Sequence, residues 1–282
     1  MQNKVFSSNK TLNLGGRLVH FDTPKIMGVL NITPDSFFDG GRHTDEKAIL
    51  LLVEKMINDG ADFIDVGGYS SRPGATDISQ EEELGRVIPM IKAIMKIFPE
   101  SILSIDTFRS EVAKQAIDAG ALMVNDVSGG AFDDKMFGLI KKYRVPYILM
   151  HMKGTPQTMK SMATYENLIK EMIDYFHPKI HQLHQLGVAD IMIDPGFGFA
   201  KTINQNFELL KHLDHFKIFE KPIVVGLSRK SMIWKTLATD PENALNGTTV
   251  LNTIALLKGA DILRIHDVKE AVEAVKLTSF VK

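Results

Sequence analysis

Short runs of β-branched and aliphatic residues recur along the chain, at Ile26–Asn31, Asp62–Val66, Ile102–Asp106, Leu122–Asp126, Pro146–His151, Ile191–Asp194, Pro222–Ser228 and Ile262–His266. Each is apolar almost throughout rather than alternating, the pattern of parallel strands covered on both faces. Stretches with helical periodicity separate them. Thr44 ahead of Asp45 and Glu46 reads as an N-cap, and Ser79-Gln80-Glu81-Glu82 reads as a capping box. Ala119-Gly120 and Leu186-Gly187 read as helix ends, each just ahead of the next strand. Strands alternating with helices predict an α/β fold with a parallel sheet, and this strand count closes a (β/α)8 TIM barrel. Upstream, Thr11–Leu14 and Arg17–Phe21 flank Gly15-Gly16, which predicts a β-hairpin over one end of the barrel. No linker or composition shift divides the chain. A single domain is therefore expected over residues 1–282, with the hairpin at about 4–22 and the barrel at about 25–282.

Composition narrows the function classes. The chain carries 33 Lys and Arg against 34 Asp and Glu, a formal net charge of −1. Such a balance gives no electrostatic case for nucleic acid or an anionic membrane as partner. With no cysteine, disulfides and thiolate metal sites are excluded. The segment Met1–Lys10 is polar, and no run approaches the ~18 apolar residues of a membrane span. A cytoplasmic enzyme is the expectation.

Barrel enzymes take their catalytic residues from the C-terminal ends of strands and the loops that follow. Here those ends are polar throughout: Asn31, Asp65, Asp106, Asn125 with Asp126, His151, Asp194, Ser228-Arg229-Lys230, and Arg264 with His266. One such group could be a satisfied structural residue. A polar group at every strand end is better explained by a pocket lined with both charge signs, because burial without partners costs roughly 1–3 kcal/mol each. Asp106, Asn125 and Asp194 suit a donor-rich heterocycle, such as the amino-pyrimidine edge of a pterin. Arg72, Lys230, Arg264 and His266 suit phosphate. A ligand with a heterocycle at one end and a pyrophosphate at the other fits both sets, and so would a nucleotide.

At these residues the chain resembles the dihydropteroate synthase family. GVLNITPDSFFDGG (Gly28–Gly41) and DVGGYSSRPG (Asp65–Gly74) are similar to that family's first two signature loops. SIDT (Ser104–Thr107), NDVSGG (Asn125–Gly130), MHMKGTPQTM (Met150–Met159), DPGFGFAKT (Asp194–Thr202), GLSRKS (Gly226–Ser231) and RIHDV (Arg264–Val268) follow in family order. The resemblance implies a transferase of folate biosynthesis, a sulfonamide target and a homodimer. Its substrates would be a dihydropterin pyrophosphate and 4-aminobenzoate. Asp106, Asn125, Asp194 and Lys230 would bind the pterin. Ser71, Arg72, Arg264 and His266 would hold the diphosphate, and Asn31 would help bind Mg²⁺. Phe37, Pro73 and Ser231 would contact the aminobenzoate; Asp35, Arg72 and Lys230 would be catalytic. Two positions depart from the family pattern: Tyr69 stands where an acidic residue is expected, and Ser71 stands for threonine but keeps the hydroxyl.

The implied reaction displaces pyrophosphate from a pterin methylene by an arylamine, on a dissociative path. Arg72, Arg264, His266 and Mg²⁺ would stabilise the departing anion, and Asp35 the transient cation. An arylamine is neutral at pH 7, so no strong general base is needed. Rival functions are a pterin-dependent methyltransferase, which has no use for the anion-binding group, and a non-catalytic paralogue. Other features read as structure. His177, His181 and His184 fit a solvated helix face better than a metal site. His212 and His215 likewise read as surface, and Met150 and Met152 as barrel packing. Gly196-Phe197-Gly198 does not complete a nucleotide loop, since Lys201 holds the last glycine position. Asp126 and His151 suit function and structural support equally. Leu245–Leu257 reads as a core-facing helix that could also form a subunit interface.

Overall fold

The computed structural model describes residues 10–32, 42–70 and 76–281, with side chains from Glu46 onward in the second stretch. β1 (Thr11–Leu14) and β2 (Arg17–His20) form the hairpin, joined by Gly15 and Gly16 at φ 62° and 98°. Two successive left-handed residues make the tight turn whose twist matches its strands, and glycine adopts them without strain. Residues 1–9 lie outside the described part, so the expected start of the hairpin near residue 4 falls there.

Eight parallel strands follow: β3 (Lys25–Asn31), β4 (Phe63–Gly67), β5 (Leu103–Asp106), β6 (Met123–Asp126), β7 (Tyr147–Met150), β8 (Ile191–Asp194), β9 (Val224–Val225) and β10 (Ile262–Ile265). They pair in the order β8-β7-β6-β5-β4-β3-β10-β9. A parallel bridge between Ile193 and Ile223 closes the ring into a barrel. Around it lie α1 (Arg42–Asn58), α2 (Gln80–Ile97), α3 (Ser110–Asp118), α4 (Met136–Tyr143), α5 (Leu168–Gln185), α6 (Ile203–Lys211), α7 (Ser231–Trp234), α8 (Leu245–Lys258) and α9 (Val268–Thr278).

Alternate strand residues point to opposite faces, and this divides the core in two. Outward residues such as Ile64, Val66, Leu103, Ile105, Leu149 and Ile193 pack under the helices. The buried stripe of α5 (Leu168, Met172, Phe176, Ile180 and Leu183) shows the matching helical spacing. Inward residues form a second cluster: Met27, Phe63, Ile102, Met123, Ile148, Met192, Val224 and Ile262, one from each strand or its first flank, together with Leu12 and Leu14 of the hairpin. The hairpin thus plugs the N-terminal end of the barrel. Lys10 ties it down by an ion pair to Asp261 at 2.7 Å, and the Asn13 backbone donates to Asp190 at 3.0 Å.

Three local expectations need correction. The run Pro222–Ser228 yields only a two-residue strand. Pro222 has no N–H, Ile223 N donates to the Asp261 side chain (2.8 Å), and Lys230 N folds back onto Leu227 O (3.1 Å). The capping box at Ser79 is half formed. Ser79 accepts from Glu82 N, but the Glu82 carboxylate pairs with Arg86 one turn on. The reciprocal box is found instead between Thr202 and Gln205. Thr44 lies inside the first turn of α1 rather than capping it, since Arg42 and His43 are compatible with helix and extend it upstream. The helix ends at Ala119-Gly120 and Leu186-Gly187 stand as read, with Gly120 and Gly187 at φ 119° and 82°.

Candidate active site

Two residues beyond the apolar plug, the same inward positions become polar. Asp65 follows Phe63, Ser104 follows Ile102, Asn125 follows Met123, Asp194 follows Met192, and Arg264 follows Ile262. The barrel therefore turns from an oil-filled base to a polar floor within one strand period.

Asp65, fully buried, is the hub of this floor. Its Oδ2 accepts from Arg264 Nε at 2.6 Å and from Asn125 Nδ2 at 2.8 Å. Arg264 Nη2 continues the chain to Asp106 Oδ2 at 2.7 Å. Burial drives the Asp106 carboxyl up to about 7, against the opposing pull of Arg264, while the charges of Asp65 and Glu83 push the same way as burial. For Arg264, burial works against the charge, but Asp65 and Asp106 outweigh it and hold the guanidinium above its ordinary pKa. Because Asn125 spends its amide nitrogen on Asp65, it presents its Oδ1 as an acceptor. That atom, Asp65 Oδ1 and Ser104 Oγ are buried without a partner among the described residues. Such unmet capacity costs about 1–3 kcal/mol per group, which a donor-bearing ligand or water would recover.

Asp194 ends β8. Its Oδ1 accepts from Gly196 N at 2.7 Å, and burial raises its pKa while the charge of Lys230 opposes the rise. Gly196 is obligatory here: its φ is 70°, and a Cβ would stand 2.1 Å from the His151 carbonyl oxygen. Lys230, at the N-terminus of α7, donates to Phe197 O, and its ammonium lies 5.1 Å from the centroid of the Phe199 ring. Burial lowers Lys230 to about 8, with Asp194 pulling it back up.

His266 is exposed at the end of β10, with Nδ1 2.9 Å from Ser228 Oγ. Ser228 Oγ also accepts from His266 N at 3.2 Å, so one hydroxyl holds both the backbone and the ring of His266. Asn31 ends β3 opposite Gly67, and Ser231 is exposed at the first position of α7. Asp35, Phe37, Ser71, Arg72 and Pro73 lie outside the described residues. Their segments leave from the ends of the neighbouring strands β3 and β4.

His151 and Asp126 prove to be support. Asp126 accepts from Ser128 N (2.8 Å), Ser128 Oγ (2.7 Å), Gly130 N (2.9 Å) and Tyr147 OH (2.8 Å), which occupies its carboxylate. His151 is 1% exposed, its ring edge-on to Tyr175 at 4.8 Å, and burial followed by the charges of Lys201 and Lys153 lowers its pKa to about 2. His177, His181 and His184 lie exposed on α5, as a solvated face requires, and Met150 and Met152 pack with Val127 and Met159.

Two residues with structural consequence had no role assigned from sequence. Asp65 is one. Arg229 is the other: it grips Asp267 through Nε (3.0 Å) and Nη2 (2.8 Å), and its Nη1 donates to the carbonyls of Pro241 and Glu242. This clamp joins the turn bearing Lys230 to the turn bearing His266. The departure at position 69 also has a physical account. Tyr69 packs edge-on to Phe108 at 5.0 Å, lies under Arg109, and its hydroxyl accepts from Gln157 Nε2 at 3.2 Å. Arg109 is meanwhile neutralised by the buried Glu83 at 2.5 Å.

Residues 27–266 match the family described as pterin binding enzyme. The dihydropteroate synthase of Escherichia coli K12 is 41% identical over 280 residues, covering 97% of this chain and 95% of its own. The chain belongs to the dihydropteroate synthase family. A Xanthomonas albilineans dihydropteroate synthase solved with 4-aminobenzoic acid superposes with a TM-score of 0.90 at 36% identity, covering 97% of this chain and 98% of that one. A Yersinia pestis dihydropteroate synthase in complex with a sulfonamide drug gives 0.90 at 37% identity, with 96% and 98% covered. The span matched to the family opens in β3 and closes on His266, so it takes in every polar strand end described above.

Proposed function

We propose that the chain condenses (7,8-dihydropterin-6-yl)methyl diphosphate with 4-aminobenzoate, giving 7,8-dihydropteroate and diphosphate, by a dissociative displacement. The observation that carries this reading is the polar floor, where buried acceptors stand without partners among the described residues beside Arg264, already paired to two carboxylates. Asp194 and the Oδ1 of Asn125 suit the donors of an amino-pyrimidine edge; Asp106 would lie beside them, and Lys230 would reach the ring oxygen and nitrogen. His266, with Arg264 and the Ser71-Arg72 pair, would hold the diphosphate. Phe37, Pro73 and Ser231 would bound the aminobenzoate, and a sulfonamide would compete for that subsite.

The bond between the pterin methylene carbon and the ester oxygen breaks with its electrons leaving on diphosphate. The pterin ring spreads the positive charge, and Asp35 would stabilise it. The arylamine nitrogen then bonds to the methylene carbon and releases a proton to water. Enforced alignment in a closed pocket supplies the rate.

Mg²⁺ belongs to this proposal. Among the described residues no cluster of three or more His, Cys, Asp or Glu side chains is arranged for a metal. Mg²⁺ keeps waters and phosphate oxygens as most of its ligands and needs few from protein. Asn31 fits that demand. A Cβ at Gly67 would lie 3.7 Å from both Asn31 Oδ1 and Asp106 Oδ2, so the glycine keeps the space between them open. When bound, the ion would neutralise charge on the departing diphosphate.

A homodimer and a cytoplasmic location complete the reading. The pair α8–α9 bounds an open groove of about 570 Å³, lined partly by Leu277 and Val281, and Val250, Leu257 and Phe280 are exposed nearby. An apolar face of this kind suits a second copy of the chain, and sedimentation tests it. No described helix is long and apolar enough to cross a membrane. The deciding experiment for the reaction is turnover with both substrates. Diphosphate release that requires 4-aminobenzoate and yields dihydropteroate is the expected result; its absence in folded protein would favour a non-catalytic paralogue.

A further inference from the structure

Lys201 is a cation that the proposed reaction does not use. Its ammonium donates to His151 Nδ1 at 3.1 Å, Gly196 O at 3.0 Å and Phe199 O at 3.1 Å. An ammonium has three hydrogens, and each has an acceptor here. His151 can serve as one of them because it is held neutral, leaving a lone pair on Nδ1. Burial pulls Lys201 down to about 7 against the charge of Asp194; hydrogen bonds to acceptors favour the charged form.

The segment that Lys201 grips has no ladder of its own. Gly196, Gly198 and Ala200 alternate into the left-handed region at φ 70°, 81° and 47°. Side chains hold it instead. Lys201 takes the carbonyls of Gly196 and Phe199 from one side, while Lys230 takes the carbonyl of Phe197 from the other. Gly196 N in turn orients the Asp194 carboxylate, and a Cβ on Gly198 would come within 3.2 Å of the Lys230 side chain. Moving this loop would displace both groups that face the pterin.

We propose that Lys201 is a positioning residue for pterin binding: its three donors fix the 195–200 loop so that Asp194 and Lys230 meet the ring in the bound geometry. The proposal rests on the reading that those two residues hold the pterin. Arginine cannot replace Lys201, since a planar fork does not direct three bonds to a tripod of acceptors.

The test uses the full chain below neutral pH, where Lys201 is charged, and two calorimetric probes: a hydroxymethyl pterin without phosphate, and inorganic pyrophosphate. Lys201→Met keeps the stem and removes the donors. The pterin Kd should rise at least about fivefold, while the pyrophosphate Kd moves less than about twofold. A smaller rise for the pterin, or the same factor for both probes, overturns the proposal. If that variant does not fold, the third leg is tested at His151. His151→Asn can keep an acceptor where Nδ1 lies and His151→Leu cannot, so the Leu variant should bind the pterin at least about threefold more weakly than the Asn variant. Equal affinities overturn the proposal. Asp194→Ala serves as control: unaltered pterin binding there would refute the pterin-site reading itself, whatever Lys201 does.

Discussion

Asp65→Asn probes the floor at its hub while changing almost no volume. In the parent, one carboxylate oxygen receives both Arg264 Nε (2.6 Å) and Asn125 Nδ2 (2.8 Å). The new amide can keep both bonds only with its oxygen where they arrive, which puts its NH₂ at the place of Oδ1, buried with no acceptor among the described residues. The ion pair becomes a charged–neutral bond, and the unpaired NH₂ adds a desolvation cost of about 1–3 kcal/mol. Charge-assisted bonds contribute about 1.5–3 kcal/mol, and breaking a buried pair costs about 3–5 kcal/mol. Arg264 keeps Asp106 at 2.7 Å, so the lower part of that range applies, roughly 2–4 kcal/mol. For a chain of 282 residues this means a fall in Tm of roughly 3–7 °C by calorimetry. The substitution also acts on Asp106. Its folded pKa of about 7 lies above the ordinary 3.8, so the stability tied to the neutral carboxyl is full below about pH 4 and is lost as pH rises through about 7. Asp65 is one of the charges that raise that pKa, so Asp65→Asn should move the loss towards acid and narrow its window. Urea unfolding from pH 4 to 8, with Asp106→Asn as reference, isolates the effect. Destabilisation below about 1 kcal/mol, or a window moved to higher pH, would refute the hub.

Asp194→Ala should weaken a phosphate-free pterin by about 100-fold, a few kcal/mol for donors left unpaired, by calorimetry; unchanged affinity would remove Asp194 from the pterin site. His266→Ala should weaken pyrophosphate at least about tenfold and leave that pterin within about twofold. If both weaken alike, His266 supports the fold rather than reading the anion. Tyr69→Glu loses the Phe108 contact and the hydroxyl, and Arg109 is already paired with Glu83, so steady-state turnover should change less than about tenfold. A much larger gain would show that the present loop is impaired.

Strand order and barrel class were legible because each strand is covered on both faces and so reads as an unbroken apolar run. The same feature hid the interior. In Phe63-Ile64-Asp65-Val66-Gly67 the inward residues are Phe63, Asp65 and Gly67, and only the last two break the run. Polar strand ends were therefore visible, but not which of them pair. Asp65 meets Arg264 across 199 positions, a contact that the pairing of the last strand with the first creates, and His151 meets Lys201 across 50, from loops that follow the neighbouring strands β7 and β8. Likewise β9 shrank for a reason outside its own run, the demand of Asp261 on Ile223 N. Asp65 carried one usable signal: a charge two residues after an inward aromatic must face the barrel interior and needs a partner there.

On the proposed reading, the partners found there would divide ligand recognition into two zones. In the floor, Arg264 is matched by Asp65 and Asp106, and Lys230 lies within the field of Asp194. A neutral heterocycle can enter without leaving a buried charge unpaired, and the orphan acceptors then discriminate by hydrogen bonding. A site built to bond a donor rejects analogues lacking it far better than an apolar pocket can, by about 10⁴-fold or more in favourable cases. A diphosphate brings charge that this floor can meet only with the Arg264 donor not spent on Asp65 and Asp106, since giving up a buried pair costs about 3–5 kcal/mol. The anion is therefore better held at the rim, where His266 is exposed and the loops after β3 and β4 begin. Solvent there lowers both the desolvation cost and the strength of each contact. On that reading specificity would reside in the buried floor, while the charge that must leave during the reaction would sit where leaving costs least.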